Sequence, residues 1–181
     1  VNVNVLVNDT DADGDALTIT AATASNGAVT TKPDQTLDYV PNVNFNGSDT
    51  ITYTVSDGDT TSNGTVTMTV VPVNDAPTLS NITASIAENS INGTGVAKLS
   101  GSDVDGGSLI YSIQTNSADI FGINSNSGEI NIADTALLNF ETAIQHEITV
   151  EALDNGGLYD TATVTINITD VTENVTPTLD I

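Results

Sequence analysis

The stretch Ala162-Thr163-Val164-Thr165-Ile166-Asn167-Ile168-Thr169 alternates apolar and polar side chains without a break. Successive side chains of an extended chain point to opposite faces, so a period of two describes a strand with one face buried and the other in water. The same alternation recurs where Ile51, Tyr53 and Val55 stand between threonines, at Val66, Met68 and Val70, and at Ile148, Val150 and Ala152. Threonine and valine favour the pleated surface through β-branching. Asn26-Gly27, Asn46-Gly47, Asn63-Gly64 and Asn92-Gly93 read as tight turns between strands. No segment carries the 3.6-residue period of an amphipathic helix, and an all-β sandwich is expected.

Composition narrows the function. The chain has 181 residues, 38% hydrophobic and only 4% aromatic, so its core rests on Val, Ile, Leu and Ala. Against 24 Asp and Glu stand Lys32 and Lys98 alone, with no Arg, for a formal net charge of −22. Such a chain offers nothing to a phosphate backbone, which excludes nucleic acid as a partner. A compact body of that charge repels itself unless cations reduce the field, so stability is expected to depend on divalent ions. Cysteine is absent, which leaves a bound ion as the staple that small extracellular modules often need. No apolar run approaches the length of a membrane span, so no direct membrane insertion is expected of this stretch.

Catalytic patterns are missing. His146 is the only histidine and is read as a strand-surface residue. There is no Gly-x-Ser-x-Gly elbow and no phosphate loop. Abundant acids guarantee chance carboxylate pairs, so their number says nothing about glycoside hydrolysis. A non-enzymatic protein is expected.

The two halves repeat each other through acidic anchors. Asp11-Ala12-Asp13-Gly14 answers to Asp103-Val104-Asp105-Gly106, and Ser56-Asp57-Gly58 answers to Leu153-Asp154-Asn155-Gly156. Asn44-Phe45-Asn46 answers to Asn139-Phe140-Glu141, with the phenylalanines read as core plugs. Between the halves lies Val73-Asn74-Asp75-Ala76-Pro77, where proline ends the ladder. Modules are therefore expected over residues 1–76 and 77–181. The first half lacks a counterpart of the opening strand at 79–88, so it reads as a module truncated at its N-terminus and cut from a longer array.

The second half resembles a cadherin domain. The resemblance is carried, in the family's order, by Ala87-Glu88-Asn89, Gly93-Thr94-Gly95-Val96, Ser102-Asp103-Val104-Asp105, Phe121 to Ile130, Glu151-Ala152-Leu153-Asp154 and Asp170-Val171-Thr172-Glu173-Asn174. The first half is similar to the shorter cadherin-like repeats of large secreted bacterial adhesins, through Val5 to Asp15, Gly47-Ser48-Asp49, Tyr53 to Gly58 and Asn74-Asp75-Ala76-Pro77. The resemblance implies two Greek-key, immunoglobulin-like sandwiches in tandem, an extracellular or cell-surface location, and Ca2+ as cofactor.

Calcium takes six to eight oxygens at about 2.3–2.6 Å, which requires carboxylates and carbonyls from several loops to converge. By resemblance, Asp103, Asp105 and Asp154 share one pole of the second module, and Asn74 and Asp75 add oxygens from the linker. The chain departs from the family there: Val71 and Val73 replace oxygen-bearing linker residues, and Asn44 and Asn46 replace an acidic motif. Glu88, Glu141, Asp170 and Glu173 form a half-site at the other pole, with Asn139 where the family has Asp. Asp11, Asp13 and Asp57 repeat the triad in the first module, beside Asp9 and Asp15. Asp9, Asp11, Asp13 and Gly14 also open like an EF-hand loop, but the twelfth position, which needs a bidentate Glu, is Thr20.

The expected partners are neighbouring repeat modules of the same polypeptide, with calcium stiffening the array. Two other readings stay open at this stage. The modules themselves bind another copy or a polysaccharide, or the acidity is an inert surface suited to a saline habitat.

Overall fold

A computed structural model describes residues 1–116 and 119–173. Spatial contacts divide the chain into two compact units, Val1–Val73 and Asn74–Ile181. Asn174, the last residue of the closing cadherin-like motif, lies outside the described residues.

The first unit contains β1 (Asn2–Val3), β2 (Thr18–Ala24), β3 (Gly27–Thr31), β4 (Leu37–Pro41), β5 (Gly47–Ser56) and β6 (Thr61–Val70). They form two sheets, ordered β1-β4-β3 and β2-β5-β6. The alternation of β5 buries Asp49, Ile51, Tyr53 and Val55 on one face. The last three join Val5, Ile19, Leu37 and Tyr39 in a single core, against which Val66, Met68 and Val70 are half-buried.

The second unit contains β7 (Ile82–Ala87), β8 (Gly95–Lys98), β9 (Ile110–Thr115), β10 (Phe121–Ile123), β11 (Glu129–Ile132), β12 (Gln145–Leu153) and β13 (Tyr159–Thr169). Its sheets are ordered β10-β11-β8 and β7-β13-β12-β9. β13 pairs antiparallel with β12 and parallel with β7 over Val164 to Thr169. Ala162, Val164, Ile166 and Ile168 face the core and are at most 4% exposed. Burying an aliphatic side chain so fully is worth about 1.5–3 kcal/mol, so this one alternating strand anchors the module.

Three sequence expectations need correction. Asn63-Gly64 is no turn: both residues lie within β6, and Gly64 stands directly opposite Tyr53. The glycine serves the aromatic ring across the ladder, since a Cβ there would lie 2.8 Å from Tyr53 Cε1 and closer still to its Cζ and hydroxyl. Asn26-Gly27 does turn the chain as expected, carrying it from β2 in one sheet to β3 in the other. His146 is not a surface residue of its strand: it shares the inward parity of Ile148 and Val150. Its ring is half-buried and meets Phe121 edge-on at 5.8 Å. Both phenylalanines read as core plugs are only half-buried; Phe140 packs against the core of its module, whereas Phe45 is not among the side chains packed against the other core.

Candidate metal centres

In the second module the parallel pairing of β7 with β13 sets Thr169 opposite Ala87. The next residue on each strand, Asp170 and Glu88, is thereby delivered to the same end of the sheet. The loop after the 3-10 turn Thr135–Leu137 adds Glu141. Ligand oxygens of Glu88, Glu141 and Asp170 all lie within 4.8 Å of one another. Two oxygens on opposite sides of a calcium ion are at most about 5 Å apart, twice the usual bond length, so the spacing fits a shared hard cation.

Glu88 anchors this group. It is 2% exposed, and its two oxygens accept the Val171 N–H and the Phe140 N–H, each at 2.8 Å. These backbone bonds, from Val171 first and Phe140 second, outweigh burial and hold the carboxyl below its ordinary pKa. The group is therefore ionised and fixed, with further lone pairs free for a metal. Glu141 and Asp170 are exposed, and no ion pair to a basic side chain reaches any of the three among the described residues. Glu173 is also exposed and stands outside the converging trio.

The other acidic loops of this module form a hydrogen-bonded network. Asp103 Oδ1 accepts the Asp105 N–H at 2.8 Å, and Asp105 Oδ2 accepts the Asp75 N–H at 2.7 Å. Beside them the Asn74 amide donates to Asp154 Oδ2 at 2.7 Å, while Asp154 Oδ1 accepts the Leu158 N–H at 2.8 Å. Burial works to raise the Asp154 carboxyl. The bonds from Asn74, Leu158, Gly157 and Gly156 more than offset it, and its pKa is lowered. All five residues expected there are thus brought together, although their carboxylates do not converge as tightly as the Glu88 trio.

The first module repeats the loop. Asp11 Oδ1 accepts the Asp13 N–H at 2.8 Å, the same turn as at Asp103, and Gly14 and Gly106 follow with φ of 84° and 76°. Asp57 follows the end of β5 and accepts the Thr60 hydroxyl and N–H, both at 2.6 Å, and the Asp59 N–H at 2.8 Å. These bonds, the Thr60 hydroxyl foremost, lower its pKa to about 2. Asp9, Asp11 and Asp57 line one cleft of about 290 Å³ with Tyr53, whose hydroxyl donates to Asp9 Oδ2 at 3.1 Å. Asp13 lies outside that lining. The EF-hand reading fails, because Thr20 lies within β2 and the loop is entered from a single 3-10 turn, Leu6–Asn8, rather than from an α-helix.

Asp49 escaped the sequence reading. It is 3% exposed and accepts from Tyr39 Oη at 2.9 Å and from the Asn26 and Thr50 N–H groups at 3.0 and 2.9 Å. Its signal was available: an acid occupying the inward parity of Ile51 and Tyr53 must be buried and partnered. Its role is internal, tying the β2–β3 crossover to β5.

Comparison with known proteins agrees with this architecture. Residues 82–169 match the family profile described as Cadherin domain, and residues 1–69 match that described as Bacterial Ig domain. Cadherin-87A of Drosophila melanogaster is 35% identical over 152 residues, covering 78% of this chain and 7% of that protein. Cadherin-related family member 1 of Gallus gallus is 33% identical over 131 residues, covering 65% of this chain and 15% of that protein. Among solved structures, extracellular cadherin domains 3-6 of Protocadherin Gamma B2 superpose with a TM-score of 0.62 at 21% identity, covering 94% of this chain and 46% of that one. Domains 1-4 of Protocadherin Gamma B7 give 0.57 at 22% identity, covering 84% and 42%. The chain has the fold of tandem cadherin-like β-sandwich modules, residues 82–169 are similar to a cadherin domain, and the chain spans only a small part of the curated relatives it matches. Among the described residues no helix is long and apolar enough to cross a membrane.

Proposed function

We propose that the chain is a calcium-binding structural module pair from an extracellular adhesion protein, in which Ca2+ at the module poles and linker rigidifies a repeat array. The observation that carries this reading is the convergence of Glu88, Glu141 and Asp170 within 4.8 Å with no basic side chain beside them. Three carboxylates held that close repel one another unless a cation sits among them. Glu88, Glu141 and Asp170 would hold the ion in the second module, with Glu173 nearby. Asn74, Asp75, Asp103, Asp105 and Asp154 supply the linker-proximal ligands, and Asp11, Asp13 and Asp57 their counterpart in the first module. The modules are bounded at 1–76 and 77–181, with Asn74 to Ala76 as the connecting segment. On this reading the parent protein is a large secreted bacterial adhesin. Its role is mechanical and adhesive, with neighbouring modules as partners and no catalytic step.

The test is thermal unfolding in EDTA and in millimolar calcium, with Glu88→Gln and with Asp103→Ala/Asp105→Ala. A ligand held at a hundred times its dissociation constant by the native state alone stabilises by about 2.7 kcal/mol. For a domain of about 100 residues that raises Tm by roughly 10–20 °C. The rise should shrink in each variant. Coincident curves in the two buffers would reject the calcium reading.

A further inference from the structure

The second module holds an ionisable group that the cation sites do not use. His146, the only histidine of the chain, is the second residue of β12. Its Nε2 is enclosed by protein and has no hydrogen-bond partner among the described residues. Asn116, just past the end of β9, carries a second enclosed atom without a partner, its Oδ1. Both residues are tied to Phe121. The Asn116 amide donates to the Phe121 carbonyl at 2.6 Å, and the Phe121 ring meets the imidazole at 5.8 Å with 69° between the planes. Phe121 is 3% exposed and opens β10, so these two contacts fasten the connection from β9 to β10 onto the start of β12.

The elements around the ring present apolar side chains. β13 sets Ile166 opposite His146, with Val164 and Ile168 on the same inward face. On β12 the inward neighbour is Ile148, and Glu147 stands on the other face. Asp119 in the β9–β10 connection and Glu141 in the loop before β12 are exposed. Burial is the sole cause acting on the imidazole, and it pushes the pKa below its ordinary value. A neutral imidazole can leave Nε2 as a bare lone pair. Protonation makes both ring nitrogens donors, and the N–H at Nε2 then has no acceptor in surroundings that disfavour charge. The attraction of a phenyl ring for a cation does not offset that burial, as the direction of the shift shows.

We propose that His146 is an acid-sensitive latch: in a mildly acidic medium its ring takes up a proton, leaves Phe121 and releases the β9–β10 connection. The sign follows from linkage. The unfolded chain, with an ordinary imidazole, binds the proton at a higher pH than the folded one does. The stabilisation is complete above about pH 6.5, the unfolded value, and is lost as pH falls from there toward the folded pKa. One linked proton raises the opening constant by up to about tenfold per pH unit within that window. Ordinary Asp and Glu titrate near pH 4, so the second module loosens while its carboxylates are still ionised. The latch is therefore separate from the acid response of the acidic loops.

The test uses the full chain in EDTA, so that no bound cation contributes. A single histidine gives one set of imidazole proton resonances, whose titration reads the folded pKa directly, and the midpoint should lie below about 6.5. Amide exchange is then compared at about pH 7 and about pH 5.5, on either side of the unfolded value, after correction for the intrinsic pH dependence of exchange. Opening of β10 and of the first residues of β12 should grow by roughly threefold to tenfold, while β5, in a module without histidine, keeps its protection. His146→Gln, neutral at every pH, should abolish that change, and His146→Leu should do the same. A midpoint at or above about 6.5 overturns the proposal, because the proton has then found an acceptor such as Asn116 Oδ1. Opening that does not grow, or that grows equally in the Gln and Leu variants, also overturns it. The titration of the unaltered chain is decisive even if neither variant folds.

Discussion

Replacing Gly64 by alanine tests the contact that removed a turn from the sequence reading. The new Cβ would stand 2.8 Å from Tyr53 Cε1, where carbon pairs rest at about 3.5–4.0 Å. The ring is 6% exposed, so it has little room to retreat, and retreat breaks its bond to Asp9 at 3.1 Å. Overpacking costs about 1–3 kcal/mol and loss of a hydrogen bond to a charged group about 1.5–3 kcal/mol. Alanine returns about 0.4–1 kcal/mol by restricting the unfolded chain. The net destabilisation is about 2–5 kcal/mol, which lowers the Tm of a module this small by on the order of 10 °C or more. Calorimetry of the full chain in EDTA measures it, and Tyr53→Leu supplies the control. Without the ring, Gly64→Ala should cost little, so the pair should show a coupling of about 2 kcal/mol. Additivity within about 0.5 kcal/mol would refute the steric account and return Gly64 to a role in its own backbone.

Further outcomes follow from the same structure. Ile166→Ala, at a site with no exposed surface, should destabilise the second module by about 2–5 kcal/mol and leave the first transition unmoved; calorimetry separates the two. Asp49, Asp57, Glu88 and Asp154 all titrate below their ordinary values. As pH falls, the unfolded chain takes up protons that these folded carboxylates refuse, so their stabilisation is complete above the ordinary carboxylate pKa and lost as pH falls through the depressed values. Urea unfolding in EDTA should weaken from about pH 4 downward, and a flat profile would contradict it. Asp57→Asn should remove the part of that slope reaching to about pH 2. Asp49→Asn keeps the shape but turns an acceptor-only group into a donor beside Asn26 and Thr50 N–H groups, and should lower the first module's Tm even at neutral pH.

Most of the strands were legible because Thr, Val and Ile alternate where one face is buried, as at Ile51 to Val55 and Ala162 to Ile168. Asn63-Gly64 misled because a dipeptide reports its own turn propensity and not the ring across the ladder that requires the glycine. His146 carried the inward parity of Ile148, but a lone polar side chain on that face was read by its chemistry and not by its position. The Asp-x-Asp loops were visible locally, since each is closed by a hydrogen bond two residues away. The Glu88 trio was not: its members come from the ends of two strands and a distant loop, and only the family resemblance gathered them. Alternation alone gives a strand its faces and leaves open which strand lies beside it.

The parallel ladder between β7 and β13 also determines how the second module bears a load. Tension drawing Ile82 and Thr169 apart runs along both strands in opposite senses, so the bonds joining six residue pairs are sheared together and must fail at once. Rupture follows the unfolding barrier and not the equilibrium stability, so in a force-clamp recording the second module should hold and then yield in one abrupt step.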